Sequence, residues 1–163
     1  MKITYRKAEA ADLDEIQAFV DQAKIVMEKQ GIPQWDEVYP ILADFDGDLK
    51  AGNLFVGVAE GGNLAVTFTI SMEQDEAYKD GKWAYAGEYF RVIHRLCVNP
   101  QFQNMGLGGK TCKYIEETLR EQGVKAIRLD TFTLNPYSCA LYIIITGASH
   151  TEKTLLAQRL LEK

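Results

Sequence analysis

One stretch constrains this chain more than any other: Val98-Asn99-Pro100-Gln101-Phe102-Gln103-Asn104-Met105-Gly106-Leu107-Gly108-Gly109-Lys110. Ahead of it, Tyr89–Val98 alternates. Phe90, Val92, His94, Leu96 and Val98 fall on one face, and Tyr89, Arg91, Ile93, Arg95 and Cys97 on the other, which is a strand pattern. Behind it, Thr111, Ile115, Thr118 and Leu119 share one side of a helix predicted from Lys110 to about Gln122, with Gly123 as its cap. A strand that turns through glycines into a helix aims backbone N–H groups and the positive helix end at one spot, which suits a phosphate. Glycines at 106, 108 and 109 permit close approach by an anion and unusual φ angles.

Three readings of these glycines compete. A dinucleotide fingerprint, G-x-G-x-x-G, begins at Gly106-Leu107-Gly108 but meets Thr111 where its last glycine belongs. A nucleotide-binding phosphate loop ends correctly at Gly109-Lys110-Thr111, but Asn104 stands where its first glycine belongs. A tight turn into a helix, with no ligand, stays open on the glycines alone.

Elsewhere the hydrophobic period changes along the chain. Residues 3–8 read as a short strand. Asp12, with Glu15 three residues on, reads as a capping box ahead of a helix whose face is Leu13, Ile16, Val20, Ala23 and Met27. Gly31 and Pro33 stop it, and a second helical stretch runs from about Trp35 to Lys50, broken at Pro40 and Asp46-Gly47. Phe55–Glu60 and Leu64–Met72 read as a hairpin around Gly61-Gly62-Asn63. Residues 73–88 form an acidic and aromatic loop, Ala126–Thr131 is a strand, and Asn135-Pro136 starts a short helix through Leu141. That order is an α/β (α+β) domain.

Bulk numbers narrow the partners. With 18 Lys and Arg against 23 Asp and Glu, the formal charge is −5, which argues against nucleic acid or an anionic membrane surface as the main partner. No apolar run reaches membrane-spanning length, and the first residues lack a signal-peptide core. Three separated cysteines without a CxxC pair, and two histidines, favour a cytoplasmic protein with no metal centre.

Gln103-x-x-Gly106-x-Gly108 resembles the Q/R-x-x-G-x-G/A signature of the GCN5-related N-acetyltransferases (GNAT). The strand Ile93–Pro100 is similar to the one that precedes that signature. Asn135-Pro136-Tyr137-Ser138-Cys139-Ala140-Leu141-Tyr142 looks like the family's N-x4-A-x-Y element, and Gly31-Ile32-Pro33-Gln34-Trp35 with Tyr39-Pro40 is similar to a segment of many bacterial members. The resemblance covers residues 1–142. It implies a mixed, bent central sheet flanked by helices, and acetyl-CoA as co-substrate without a metal. It also implies an amine acceptor, either a small molecule or a peptide. Backbone amides of Met105, Gly106, Leu107, Gly108, Gly109 and Lys110 would hold the coenzyme pyrophosphate, with Gln103 helping to shape the loop and Asn104 counted among the coenzyme-binding residues. Main-chain groups of Leu96, Cys97 and Val98, where the two central strands splay, would bind the pantetheine arm and polarise the acetyl carbonyl. Asn135 would hydrogen-bond near that arm, and Tyr142 would protonate the departing thiolate.

For the base, His94 and Glu88 are the candidates. A hydrogen-bonded core histidine and a solvated loop carboxylate are the plainer readings of each. Cys97 and Cys112 read as small buried residues. Trp35, Trp83 and Tyr85 suit either an acceptor pocket or ordinary packing.

After Tyr142 the family pattern stops. Leu141–Thr146 is expected to be an apolar strand and 151–162 an amphipathic helix, a strand–helix tail at 143–163 within the same compact unit as domain 1–142. Gly147-x4-Glu152-Lys153-Thr154 resembles the opening of a P-loop nucleotide-binding protein, but Glu152 replaces the second glycine and would repel phosphates, so ATP binding is not expected. A sheet edge left open by this terminus would be available to another chain, as in a homodimer. The main expectation is therefore an acetyl-CoA-dependent N-acetyltransferase. The alternative is a catalytically impaired coenzyme-binding remnant, or an interaction protein, with an altered C-terminus.

Overall fold

The computed structural model describes residues 1–74, 76–80, 83, 89–146 and 154–160, with the backbone alone for residues 77, 80, 142–146 and 154–160. The chain forms two compact units, Met1–Ile70 with Arg95–Gly108, and Ser71–His94 with Gly109–Lys163.

In the first unit, β1 (Ile3–Lys7) pairs antiparallel with β2 (Leu54–Ala59), from Ile3↔Ala59 to Lys7↔Phe55. β2 in turn pairs antiparallel with β3 (Leu64–Ser71). Their connection closes at Gly61 and Gly62, at φ 104° and 93°, a left-handed backbone that glycine adopts without a Cβ penalty. The helix α1 (Leu13–Lys29) buries Ile16, Phe19, Val20 and Ala23. These pack with Phe45, Leu54, Val56, Leu64 and Cys97 into one core. The predicted capping box does not form. The Asp12 carboxylate takes the Arg6 guanidinium at 2.6 and 2.8 Å and the Glu9 N–H at 2.7 Å. Glu15 reaches instead across the unit to accept the N–H of Leu64 at 2.8 Å. The second helix, α2 (Leu42–Lys50), begins only after Pro40 and runs unbroken through Asp46-Gly47.

β3 is buried on both faces. Thr67, Thr69 and Ser71 are buried as deeply as their apolar neighbours, while Met72 is 46 % exposed. The hydroxyls are satisfied, Thr67 Oγ1 donating to the Phe55 carbonyl at 3.1 Å and Thr69 Oγ1 to Asp48 at 2.6 Å, which is what makes their burial affordable.

β4 (Phe90–Val98) begins in the second unit, where Phe90–His94 lie, and starts beside β5 (Ala126–Phe132) as a parallel pair, Phe90↔Ala126 to Val92↔Arg128. The helix α3 (Leu107–Glu121) starts three residues before the predicted Lys110. Phe90, Val92, Ala126 and Tyr78 form a second core, with Trp83 against it. The described strands follow the order β1-β2-β3-β4-β5-β6, a mixed α/β arrangement with β4 and β5 parallel.

The tail corrects the expectation. Residues 141–146 are not a strand but the end of α4 (Pro136–Thr146), and 154–160 are not a helix but β6 (Thr154–Leu160). β6 pairs antiparallel with the whole of β5, from Ala126↔Leu160 to Phe132↔Thr154. The cause is tertiary. A fully apolar run fits a helix as well as a strand, and an unpaired β5 edge supplies seven residues of backbone partners. The P-loop-like segment 147–153 lies outside the described residues. Among the described residues no helix is long and apolar enough to cross a membrane.

Candidate functional site

Asn99 prepares the glycine turn. Its side chain is buried, donating from Nδ2 to the Leu64 carbonyl at 2.8 Å and accepting the Gln101 N–H at 3.0 Å. A single 3-10 turn, Pro100–Phe102, follows. Gln103 then leads out, its Nε2 3.5 Å from the Val98 carbonyl, so its side chain bridges the two ends of the turn. Asn104 (φ 62°) and Gly106 (φ 69°) both take left-handed backbone, and residues 103–106 are exposed. Leu107, only 2 % exposed, anchors the first residue of α3 and explains the early helix start. The first-turn amides of a helix have no partner within it, and Gly108, Gly109 and the exposed Lys110 lie in that turn. From Gln103 to Lys110 there is no carboxylate and one cation. Backbone geometry and charge of this kind suit an anion.

Upstream, β4 does not run as a regular strand. Arg95 has φ 48°, a left-handed conformation uncommon for any residue with a Cβ. Phe90, Val92 and Ile93 are buried before it and Cys97 after it. Left-handed backbone inside a strand puts a local bulge in its course, here directly ahead of Leu96, Cys97 and Val98. The Arg95 side chain lies against α2, Nε and Nη2 reaching Asp48 at 2.9 and 2.5 to 2.6 Å, while Nη1 donates to Tyr39 Oη at 3.0 Å. Burial pulls the Arg95 pKa down, but the hydrogen bonds to Asp48 and Tyr39 outweigh it and hold the group above its ordinary value. Sequence reasoning gave no role to Asp48 or Arg95 and took Tyr39 only as part of a segment similar to the family's. A charged residue on a strand leading into the motif was the one available signal.

The other candidates separate. Half-buried His94 has Nε2 3.1 Å from Ser71 Oγ, consistent with the hydrogen-bonded reading. Asn135 is buried and caps α4, its Oδ1 accepting the N–H groups of Tyr137 and Ser138 at 3.0 and 3.2 Å, so its carbonyl is committed to the helix. Tyr142 is in the helical part of α4, two turns on, with its side chain outside the described residues. Glu88 and Tyr85 also lie outside them. Burial pushes the thiols of Cys97 and Cys112 up to about 12, with Glu116 adding to the second, so neither is a thiolate nucleophile near neutrality. Trp35 packs on the first core and lines an open groove of ≈ 840 Å³ with Asp21, Glu28 and Ile41. Trp83 stacks on Tyr78 and on the guanidinium of Arg128, within its own unit.

The profile of the acetyltransferase (GNAT) family matches residues 19–143. The chain belongs to that family. The match takes in the glycine turn, the Arg95 bulge and the Asn135–Tyr142 element together. Among solved structures, a GNAT-family acetyltransferase from Streptococcus agalactiae 2603 is similar over 99% of this chain and 96% of its own, at 23% identity and a TM-score of 0.81. One from Listeria monocytogenes 4b F2365 is similar over 97% of this chain and 94% of its own, at 20% identity and a TM-score of 0.78. A phosphinothricin acetyltransferase from Sinorhizobium meliloti, in complex with AcCoA, is similar over 98% of this chain and 89% of its own, at 20% identity and a TM-score of 0.67. A comparison with curated protein sequences finds no match.

Proposed function

We propose that this GNAT-family protein transfers the acetyl group of acetyl-CoA to a primary amine of a small molecule or peptide. The observation that carries the reading is the exposed turn Gln103–Gly106, left-handed at Asn104 and Gly106 and opening directly onto α3. The AcCoA bound to the Sinorhizobium meliloti enzyme supports the choice of donor. Amides of Met105–Lys110 hold the pyrophosphate, and Gln103 braces the turn. The backbone of Leu96–Val98 binds the pantetheine arm and polarises the acetyl carbonyl, and Asn135 positions the start of α4.

Direct attack needs no covalent intermediate on the protein. The amine lone pair adds to the thioester carbon, backbone N–H groups stabilise the developing oxyanion, and the C–S bond breaks as the carbonyl re-forms. The thiolate takes a proton from Tyr142, and the new ammonium gives one up to water or to His94.

Calorimetric titration with acetyl-CoA, followed by thiol release with a panel of primary amines, tests the reading. Gly108→Glu puts a carboxylate at the anion site and should weaken acetyl-CoA binding at least about tenfold with the fold intact by circular dichroism. Tyr142→Phe should lower kcat by roughly a hundredfold with little change in acetyl-CoA affinity. A wild-type protein that does not bind acetyl-CoA would sink the proposal. Binding without turnover for any amine would favour the impaired remnant.

A further inference from the structure

Arg95 stands at the meeting of two demands that a single residue rarely satisfies. Its backbone sits at φ 48°, the left-handed region that suits glycine or asparagine far better than arginine. Its side chain makes a two-pronged pair with Asp48, with the two side chains 13% and 11% exposed. The Asp48 carboxylate is fixed in turn by Thr69 Oγ1 on β3 at 2.6 Å. On its other side the same guanidinium donates to Tyr39 Oη and lies 5.9 Å from the centre of that ring. Tyr39 belongs to a tight turn of its own, in which Asp36 Oδ1 accepts the N–H groups of Val38 and Tyr39, both at 2.9 Å. Thus α2, β3, the connection between α1 and α2, and the bulge in β4 all meet at one cation within the first unit.

We propose that Arg95 is a positioning residue, whose clamp on Asp48 and Tyr39 fixes the left-handed bulge that aims the Leu96–Val98 backbone at the acyl end of the coenzyme. The inference rests on the acetyl-transfer reading for its consequence but not for its geometry. Planarity is the reason for an arginine here. A lysine would keep the charge but meet Asp48 at one point and could not hold Tyr39 at the same time.

The test uses the full chain and two probes. Acetyl-CoA reaches both the glycine turn and the bulge, whereas ADP engages the glycine turn alone. Arg95→Lys should weaken acetyl-CoA about tenfold and leave ADP affinity within twofold, and Asp48→Asn should do the same. Arg95→Gly keeps the left-handed backbone without the clamp, and it should not restore acetyl-CoA affinity. Hydrogen exchange at the amides of Leu96–Val98 should speed up about tenfold in all three variants, while the β1–β2 amides keep their protection.

Wild-type acetyl-CoA affinity in Arg95→Gly would show that the backbone turn suffices and the clamp is idle. Equal loss of both probes, or exchange rising throughout the unit, would make Arg95 a general fold contact and overturn the proposal. If the wild type binds neither probe, the acetyl-transfer reading fails, and the exchange data still decide whether the clamp fixes the bulge.

Discussion

Asp12 shows how a single residue can be given one job by its sequence position and another by its neighbours. Its hydrogen bond from Arg6 holds the carboxyl below its ordinary value, against the opposing effect of burial and with help from the Glu9 N–H. A depressed carboxylate contributes stability above its unfolded pKa and loses it as pH falls through the lower folded value. The contribution is therefore complete above about pH 4 and fades below it. Melting temperature measured between pH 6 and pH 3 should fall more steeply in the wild type than in Asp12→Asn; parallel curves would show that the pair adds nothing. The cysteines make a second residue-scale prediction. With their thiols held near 12 by burial, Cys97 and Cys112 should resist iodoacetamide at pH 8, and half-buried Cys139 should be alkylated first. Rapid labelling of Cys97 in the folded protein would mean that the first core opens readily.

At the scale of elements, the sheet depends on close approach between β1, β2 and β3. A Cβ on Gly57 would lie 2.6 Å from Val66 Cγ1, 2.9 Å from Ile3 Cγ2 and 3.0 Å from a Tyr5 ring carbon. Gly57→Ala should cost about 1–3 kcal/mol by overpacking, read as a lower urea midpoint. Val66→Ala in the same chain should recover part of the loss, because Val66 is the cross-strand partner of Gly57. If the two substitutions simply add, the clash is not what costs stability.

These elements also show how far the sequence could be read. β2, β3, β4 and β5 were legible within one or two residues because each is a short run rich in apolar and β-branched residues. The glycine turn was legible because glycine spacing ahead of a helix has a physical meaning on its own. The tail was not. Leu155, Leu156, Arg159 and Leu160 fit a helical face, and only the open edge of β5 makes the segment a strand. The bulge at Arg95 was invisible for a related reason. An arginine gives no sign of left-handed backbone, and Asp48 is brought to it from 47 residues away.

On the scale of the whole molecule, membership of the GNAT family and the mixed α/β fold account for the order of the pieces, and local chemistry accounts for how each is held. Among the described residues β1 pairs only with β2, yet α1 and α2 come between them in the chain. Glu15 and Leu64, which join α1 to β3, are 49 residues apart. Contacts that span so much chain are reached late, after the closing loop has lost its freedom. The first unit therefore has no stable half: neither its helices nor its hairpin can keep a core without the other. Stopped-flow refolding of the full chain carrying Trp83→Phe should show Trp35 fluorescence and amide protection of β1 and β2 recovering together in milliseconds to seconds, as a common phase. A hairpin protected well before β1 would mean that the unit is assembled in steps.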